Sequence, residues 1–160
     1  MAHVEVRTFI PARPESVWAV LEDLERQGEW MADVAKLEVV SERRRGEGVV
    51  IRVTSRLFGL PVVRDEMEIV RWEAPRRMDV VHRGAFHGTG SFLLEPAHTG
   101  TTFTWVEDFD APLGPLGEAA WAAAVRPHLL RVFGKSLKNV RRLALERELR
   151  GAGSAARPAE

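Results

Sequence analysis

The chain has 160 residues, no cysteine, and 23 basic against 23 acidic residues, so its formal net charge is zero with histidine neutral. That length predicts one domain able to bury most of its apolar surface, the missing cysteine excludes disulfides and thiol nucleophiles, and the balanced charge removes the general field that would gather nucleic acid. No apolar run nears the roughly 20 residues that span a bilayer, and Met1-Ala2-His3 leads into charged alternation rather than a signal-peptide core, so the expected setting is cytoplasmic, with no membrane span.

In chain order, the first predicted element is a strand from Val4 to Ile10, where Val4, Val6, Thr8 and Ile10 alternate with Glu5, Arg7 and Phe9. Pro11 to Pro14 break it. Pro14 suits a first helical turn, Glu15 sits near the positive end of the helix dipole, and Val17, Val20, Leu21 and Leu24 form one apolar stripe. Gly28 ends or redirects this helix, and Trp30-Met31 begins a return toward the sheet. Strand signals follow at Ala35 to Glu42, Val49 to Phe58, Pro61 to Trp72, Arg77 to Arg83, Ala85 to Glu95 and Thr101 to Phe109. Short turn-forming separators (Gly46 and Gly48, Gly59, Ala74-Pro75, Gly84, His98-Thr99-Gly100) make this an antiparallel meander with the first strand added at one edge, seven strands in all. The Arg43-Arg44-Arg45 run, flanked by Glu42 and Glu47, reads as a solvated hairpin tip.

After Pro112 and Pro115 the period becomes helical, with Trp121, Val125, His128, Leu129, Val132, Phe133, Ser136, Leu137, Val140 and Leu143 recurring at three and four. Pro127 calls for a bent helix, or for a short Gly117 to Ala124 segment before a main helix from about His128 to Arg147. The last residues, 150–160, are rich in Gly, Ala, Ser and Pro and are expected to be a disordered tail on a 1–149 domain.

Several of these pieces resemble the START-like, Bet v 1-like (SRPBCC) superfamily, in particular its bacterial polyketide cyclase/dehydrase and lipid-transport branch. They are Pro14-Glu15-x-Val17-Trp18 after a strand, Gly28-x-Trp30, Gly46-x-Gly48, Glu73-Ala74-Pro75-Arg76-Arg77, Gly100-Thr101-Thr102 and Ser136-Leu137-Lys138-Asn139, spread over residues 4 to 146. The resemblance implies an α+β helix-grip: a seven-stranded antiparallel sheet wrapped around a long C-terminal helix, with two short helices after the first strand and a hydrophobic cavity inside. It does not imply one chemistry, because such folds host cyclases, hydrolases, lipid carriers and ligand sensors.

Strand parity proposes the cavity lining independently. Val63, Met67 and Ile69 are apolar between charged neighbours, which turns Asp65 inward with them. Met78 and Val80 bring His82 to the same side; Phe86, Gly88, Gly90 and Phe92 follow on the next strand, whose glycines open space for a ligand or allow curvature. Phe103, Trp105, Glu107 and Phe109 share a face of the last strand, and Trp121, His128, Leu129, Val132 and Ser136 lie on the helix stripe. The candidate ligand-binding set is therefore Asp65, Met67, Phe86, Phe92, Phe103, Trp105, Trp121, Leu129 and Val132, and the candidate catalytic set is Glu107, His128 and His82. For His82, close to Gly84, exposure at the rim is the plainer reading. Asp65 and Glu107, as unpaired buried carboxylates, would be costly and need a partner or a raised pKa; the plainer reading is an ion pair with an arginine such as Arg52 or Arg83, or a bulge that flips the side chain outward.

No Gly-x-Ser-x-Gly elbow, phosphate loop or histidine pair at metal-ligand spacing is present, so neither a metal nor another cofactor is expected. Two function classes survive. One is a module that binds, carries or sequesters a hydrophobic small molecule, polyketide- or lipid-like; capture of a toxic natural product is a version of it. The other is a polyketide aromatase/cyclase performing aldol cyclisation and dehydration, with Glu107 or His128 as base and His82 or an arginine stabilising the enolate. The expected partner is an apolar small molecule, not nucleic acid, bound by a monomer or weak homodimer.

Overall fold

The computed structural model describes residues 2–84, 87–110, 117 and 121–155. The alternating segments form β1 (Ala2–Ile10), β2 (Val34–Val39), β3 (Val50–Leu57), β4 (Leu60–Glu73), β5 (Arg77–Arg83), β6 (His87–Ala97) and β7 (Gly100–Phe109). They make one seven-stranded antiparallel sheet in the order β1-β7-β6-β5-β4-β3-β2. Strands β2 to β7 are a meander, while β1 closes the edge against β7, with Ala2 opposite Phe109 and Ile10 opposite Thr101. The alternation of β1 is realised as read: Val4 and Ile10 are buried and Phe9 is exposed.

Helix α1 (Pro14–Leu21) starts on its proline, carries Glu15 in the first turn, and buries Val17, Trp18, Val20 and Leu21. Gly28 does not stop the chain but lies inside a 3-10 helix, Leu24–Glu29, whose end delivers Trp30 fully into the core. The loop after it is tied to the long C-terminal helix α2 (Arg126–Ala155). Ser136 Oγ accepts the Ala32 N–H at 2.9 Å and donates to the Val132 carbonyl at 3.0 Å, and Asn139 Nδ2 donates to the Trp30 carbonyl at 3.1 Å. Ser136 is thus a buried tie between helix and loop.

Pro127 is the second residue of α2, where its missing N–H would be unpaired in any case. The turn before it, Trp121–Val125, is of the wider π type, so the irregularity falls at the helix start and the interior is unbroken. Of the short segment expected from Gly117 to Ala124, residues 118–120 lie outside the described residues. Helix α2 runs past Arg147 to Ala155. Its last turns are anchored by Glu148, which accepts from Arg13 Nε at 2.9 Å and from the Ser16 hydroxyl; that hydroxyl and then Arg13 hold its carboxyl below the usual range.

The arginine run is tied down more than a solvated tip would be. Arg44 donates to the Val39 carbonyl, and Arg45 pairs with Glu22 at 2.5 Å with its guanidinium 5.9 Å from the Trp72 ring centre. The sheet curls around α2 as a half-barrel, the helix-grip arrangement. One end of that grip is solid: Trp30, Phe92, Phe103 and Trp105 pack edge to face at 5.3 to 5.8 Å. Among the described residues no helix is long and apolar enough to cross a membrane.

Candidate functional site

The other end of the grip is hollow. A cavity of about 420 Å³ lies between β2–β5, β7 and the first half of α2, within the range of small-molecule sites. Its walls are mainly apolar, with Val53, Leu57, Val63, Met67 and Phe109 from the sheet and Trp121, Val125, Leu129 and Phe133 from the helix side. The last four are spaced by four residues and so occupy one face. Phe133 marks the boundary with the solid core, stacking on Trp105 at 4.0 Å with ring planes 13° apart. A larger depression of about 580 Å³ between α1 and the end of α2 is walled largely by Glu15, Asp23, Arg26, Glu29, Glu146, Arg147 and Arg150 and offers little apolar surface.

Polar chemistry in the cavity wall centres on His82, whose side chain is only 7% exposed. Its Nδ1 lies 2.5 Å from Asp65 Oδ2 and its Nε2 lies 3.0 Å from Glu107 Oε2. Both partners accept only, so both ring nitrogens donate and the ring is an imidazolium. Burial is the largest single influence and opposes this charge, but the two hydrogen bonds and the two nearby negative charges outweigh it, and the His82 pKa is pushed up to about 9. The carboxylates have further donors: Gly84 N–H reaches Asp65 Oδ1 at 3.0 Å, and Trp105 Nε1 reaches Glu107 Oε1 at 2.7 Å.

How His82 meets Glu107 is a matter of register. His82 is on β5 and Glu107 on β7, with β6 between them, so their backbones are about 10 Å apart. On β6 the residues opposite His82 and Glu107 are Gly88 and Gly90. With no side chain at either position, the two groups join over the strand. A Cβ on Gly90 would stand 2.7 and 2.8 Å from the Glu107 carboxylate oxygens. These glycines make room for a side-chain bond.

Of the residues singled out from the sequence, Asp65, Met67, His82, Trp105, Glu107, Trp121 and Leu129 face this cavity. His82 is buried rather than at the rim, and it is His82, not an arginine, that partners Asp65 and Glu107; Arg52 and Arg83 pair instead with Glu66 and Glu68. Phe103 and Phe92 share the inward parity but not the cavity, because they lie further along their strands, in the solid end. Phe92 reaches only a narrow crevice beside Met67 and Glu107. Phe86 lies outside the described residues. His128 and Val132 sit on a helical stripe adjacent to the Trp121-Val125-Leu129-Phe133 face, about 100° round the helix. His128 therefore turns to the β3–β4 hairpin, where its Nε2 accepts the Phe58 N–H at 3.3 Å and its ring lies 4.6 Å from the Phe58 ring, tilted by 41°. It is not placed to act as a base on a molecule inside.

Three polar wall residues were not singled out from the sequence: Asp33, Ser55 and Arg56; of these only Ser55 carried a signal, its parity with the buried Ile51 and Val53. Asp33 stands in the loop between the 3-10 helix and β2, where no periodicity operates. Burial pushes its carboxyl above the usual range; hydrogen bonds from its own backbone and from the Ser55 side chain act against this, the charge of Glu107 adds to it, and His128 opposes it least. No group of acidic and histidine side chains among the described residues has the arrangement of a metal site.

Comparison with known proteins matches residues 1–144 to the family described as polyketide cyclase/dehydrase and lipid transport. Among solved structures, a protein from Thermus thermophilus superimposes with a TM-score of 0.77 at 23% identity, covering 91% of this chain and 98% of the other. The Zhui aromatase/cyclase from Streptomyces sp. R1128 gives 0.71 at 21% identity, over 95% and 98%. A START superfamily protein from Mycobacterium smegmatis gives 0.62 at 12% identity, over 92% and 97%. At these identities the likeness is one of fold. No curated protein matches the chain.

Proposed function

The chain belongs to the polyketide cyclase/dehydrase and lipid-transport family, and from that premise we propose that it binds and holds one apolar small molecule, polyketide- or lipid-like, in the cavity under α2. The observation that carries this reading is the cavity itself: about 420 Å³ of mainly apolar space, with the polar groups gathered at a few positions in the wall. Burying about 300 Å² of ligand at about 25 cal/mol per Å² supplies on the order of 7 kcal/mol before the costs of ordering. The His82 imidazolium with its two carboxylates leaves that cluster one negative charge in excess, a poor surface for an anionic headgroup.

A second reading, catalysis of an aldol cyclisation, is favoured by one specific feature, an acid and a base 3.0 Å apart on the cavity wall. Glu107 would take the proton from a carbon between two carbonyls. Once protonated, its hold on the His82 Nε2–H loosens, and that N–H turns to the enolate oxygen. The enolate carbon would then attack a second carbonyl of the same chain and close the ring, the new alkoxide taking the proton held by Glu107; Glu107 would then remove a second α-proton and return it to the departing hydroxyl, which leaves as water.

One experiment separates the two. Intrinsic fluorescence should respond to 2-methoxynaphthalene in wild type and respond less in Trp105→Phe, which retains Trp121 on the cavity wall. In parallel, product formation from a reactive poly-β-ketone is followed in wild type and Glu107→Gln. A carrier shows the fluorescence response with equal product in both proteins; an enzyme shows turnover that Glu107→Gln abolishes without loss of ligand affinity. No response to any ligand would refute both.

A further inference from the structure

We propose that Asp33 is the polar anchor of the cavity and that the molecule bound there is an apolar compound presenting a hydroxyl group to it. This deepens the small-molecule reading above and rests on it. The hydrogen bonds of the cavity wall single this residue out. Asp65, His82, Glu107 and the Trp105 N–H are matched to one another. Arg56, the arginine in the cavity wall, donates to the Val34 carbonyl at 2.8 Å and makes no ion pair with Asp33 among the described residues. The Asp33 carboxyl interacts with its own backbone and with the Ser55 side chain, but its Oδ1 is withdrawn from solvent and has no hydrogen-bond partner among the described residues. A buried acceptor left unmatched is costly, and protein structures rarely retain one without a use.

The backbone does not let the group escape. The Arg56 N–H donates to the Asp33 carbonyl at 2.7 Å, and the Ala32 N–H is held by Ser136 of α2. Between these pins only the side-chain torsions are free. The terminal torsion of an aspartate is broad and roughly two-fold, so either oxygen can turn to the cavity. A hydroxyl fits better than an ammonium for two reasons. The surrounding wall is apolar, so desolvating a cation there is expensive. Burial also favours the neutral carboxyl, which offers both an O–H and a carbonyl, and a hydroxyl answers both by donating and accepting.

The test uses the full chain and a matched pair of probes, 2-naphthol and 2-methoxynaphthalene, titrated calorimetrically into wild type, Asp33→Leu and Asp33→Ala. Leucine keeps the branched shape without polar atoms, and alanine serves if leucine crowds the fold. Wild type should prefer the naphthol about tenfold, the effect of one well-made hydrogen bond. Either variant should bring that ratio within about twofold while retaining the methoxy compound, and should melt close to wild type, because removing the unmatched Oδ1 offsets the loss of the Ser55 contact. A preference that persists in the variants overturns the proposal and leaves the cavity reading standing. Variants that melt lower and lose both probes make Asp33 structural and overturn it also. If wild type binds neither probe, the cavity reading falls with it.

Discussion

Raising the pH should unload the His82 cluster, and the structure sets both the window and the size of the effect. In the folded chain the His82 pKa stands at about 9, against 6.5 for an unperturbed histidine. Between those values the native state keeps a proton that the unfolded chain has lost, so stability falls as pH rises. The contribution is complete below about pH 6.5 and gone above about pH 9. At about 1.4 kcal/mol per pH unit the interval amounts to about 3 kcal/mol. For a chain of this size that corresponds to a melting temperature roughly 10 °C lower at the alkaline end. The groups facing the ring are Asp65 from β4 and Glu107 from β7, with the Phe109 ring 5.4 Å away. Urea unfolding followed by circular dichroism at pH 6, 7, 8 and 9.5, in wild type and His82→Gln, isolates this effect, because titration of His3, His87, His98 and His128 is common to both. Parallel stability curves for the two proteins across the window, or an NMR titration of the His82 ring with its midpoint below pH 7, would refute the reasoning.

Two further outcomes follow from the same geometry. Gly90→Ala places a methyl group within 2.9 Å of both Glu107 carboxylate oxygens and Val80 Cγ2; it should cost about 1–3 kcal/mol by overpacking and shallow the pH dependence just described, and an unchanged slope in urea unfolding would show that the glycine gap is not what joins His82 to Glu107. Phe133→Ala removes the ring stacked on Trp105 and should destabilise by about 3 kcal/mol while enlarging the main cavity. Calorimetric titration should then show larger apolar probes bound more tightly relative to wild type, and an unaltered size preference would argue that Phe133 does not bound the site.

Local periodicity is a property of the chain, and much of this protein follows from it. Alternation by two assigns each strand residue to a face whatever its neighbours are, so Asp65, His82 and Glu107 could be put on one side of a sheet before any pairing was known. Short turns between the segments made the meander, and Pro14 marked where the first helix begins. Parity, however, says nothing about position along a strand: Phe103 and Glu107 share a face, yet one lies in the packed end and the other on the cavity wall. Helical spacing defines a stripe broader than the surface a cavity touches, which is why Leu129 faces it and His128 turns to the hairpin. The bond between His82 and Glu107 needed the register of three strands and two glycines in the middle one, a relation among residues far apart in sequence. Asp33 sits in a loop with no period to read, and its unmatched oxygen exists only because β3 and α2 close around it. Faces and turns are set by neighbours along the chain, whereas contacts across strands and the charge of a buried histidine depend on long-range packing that those neighbours do not encode.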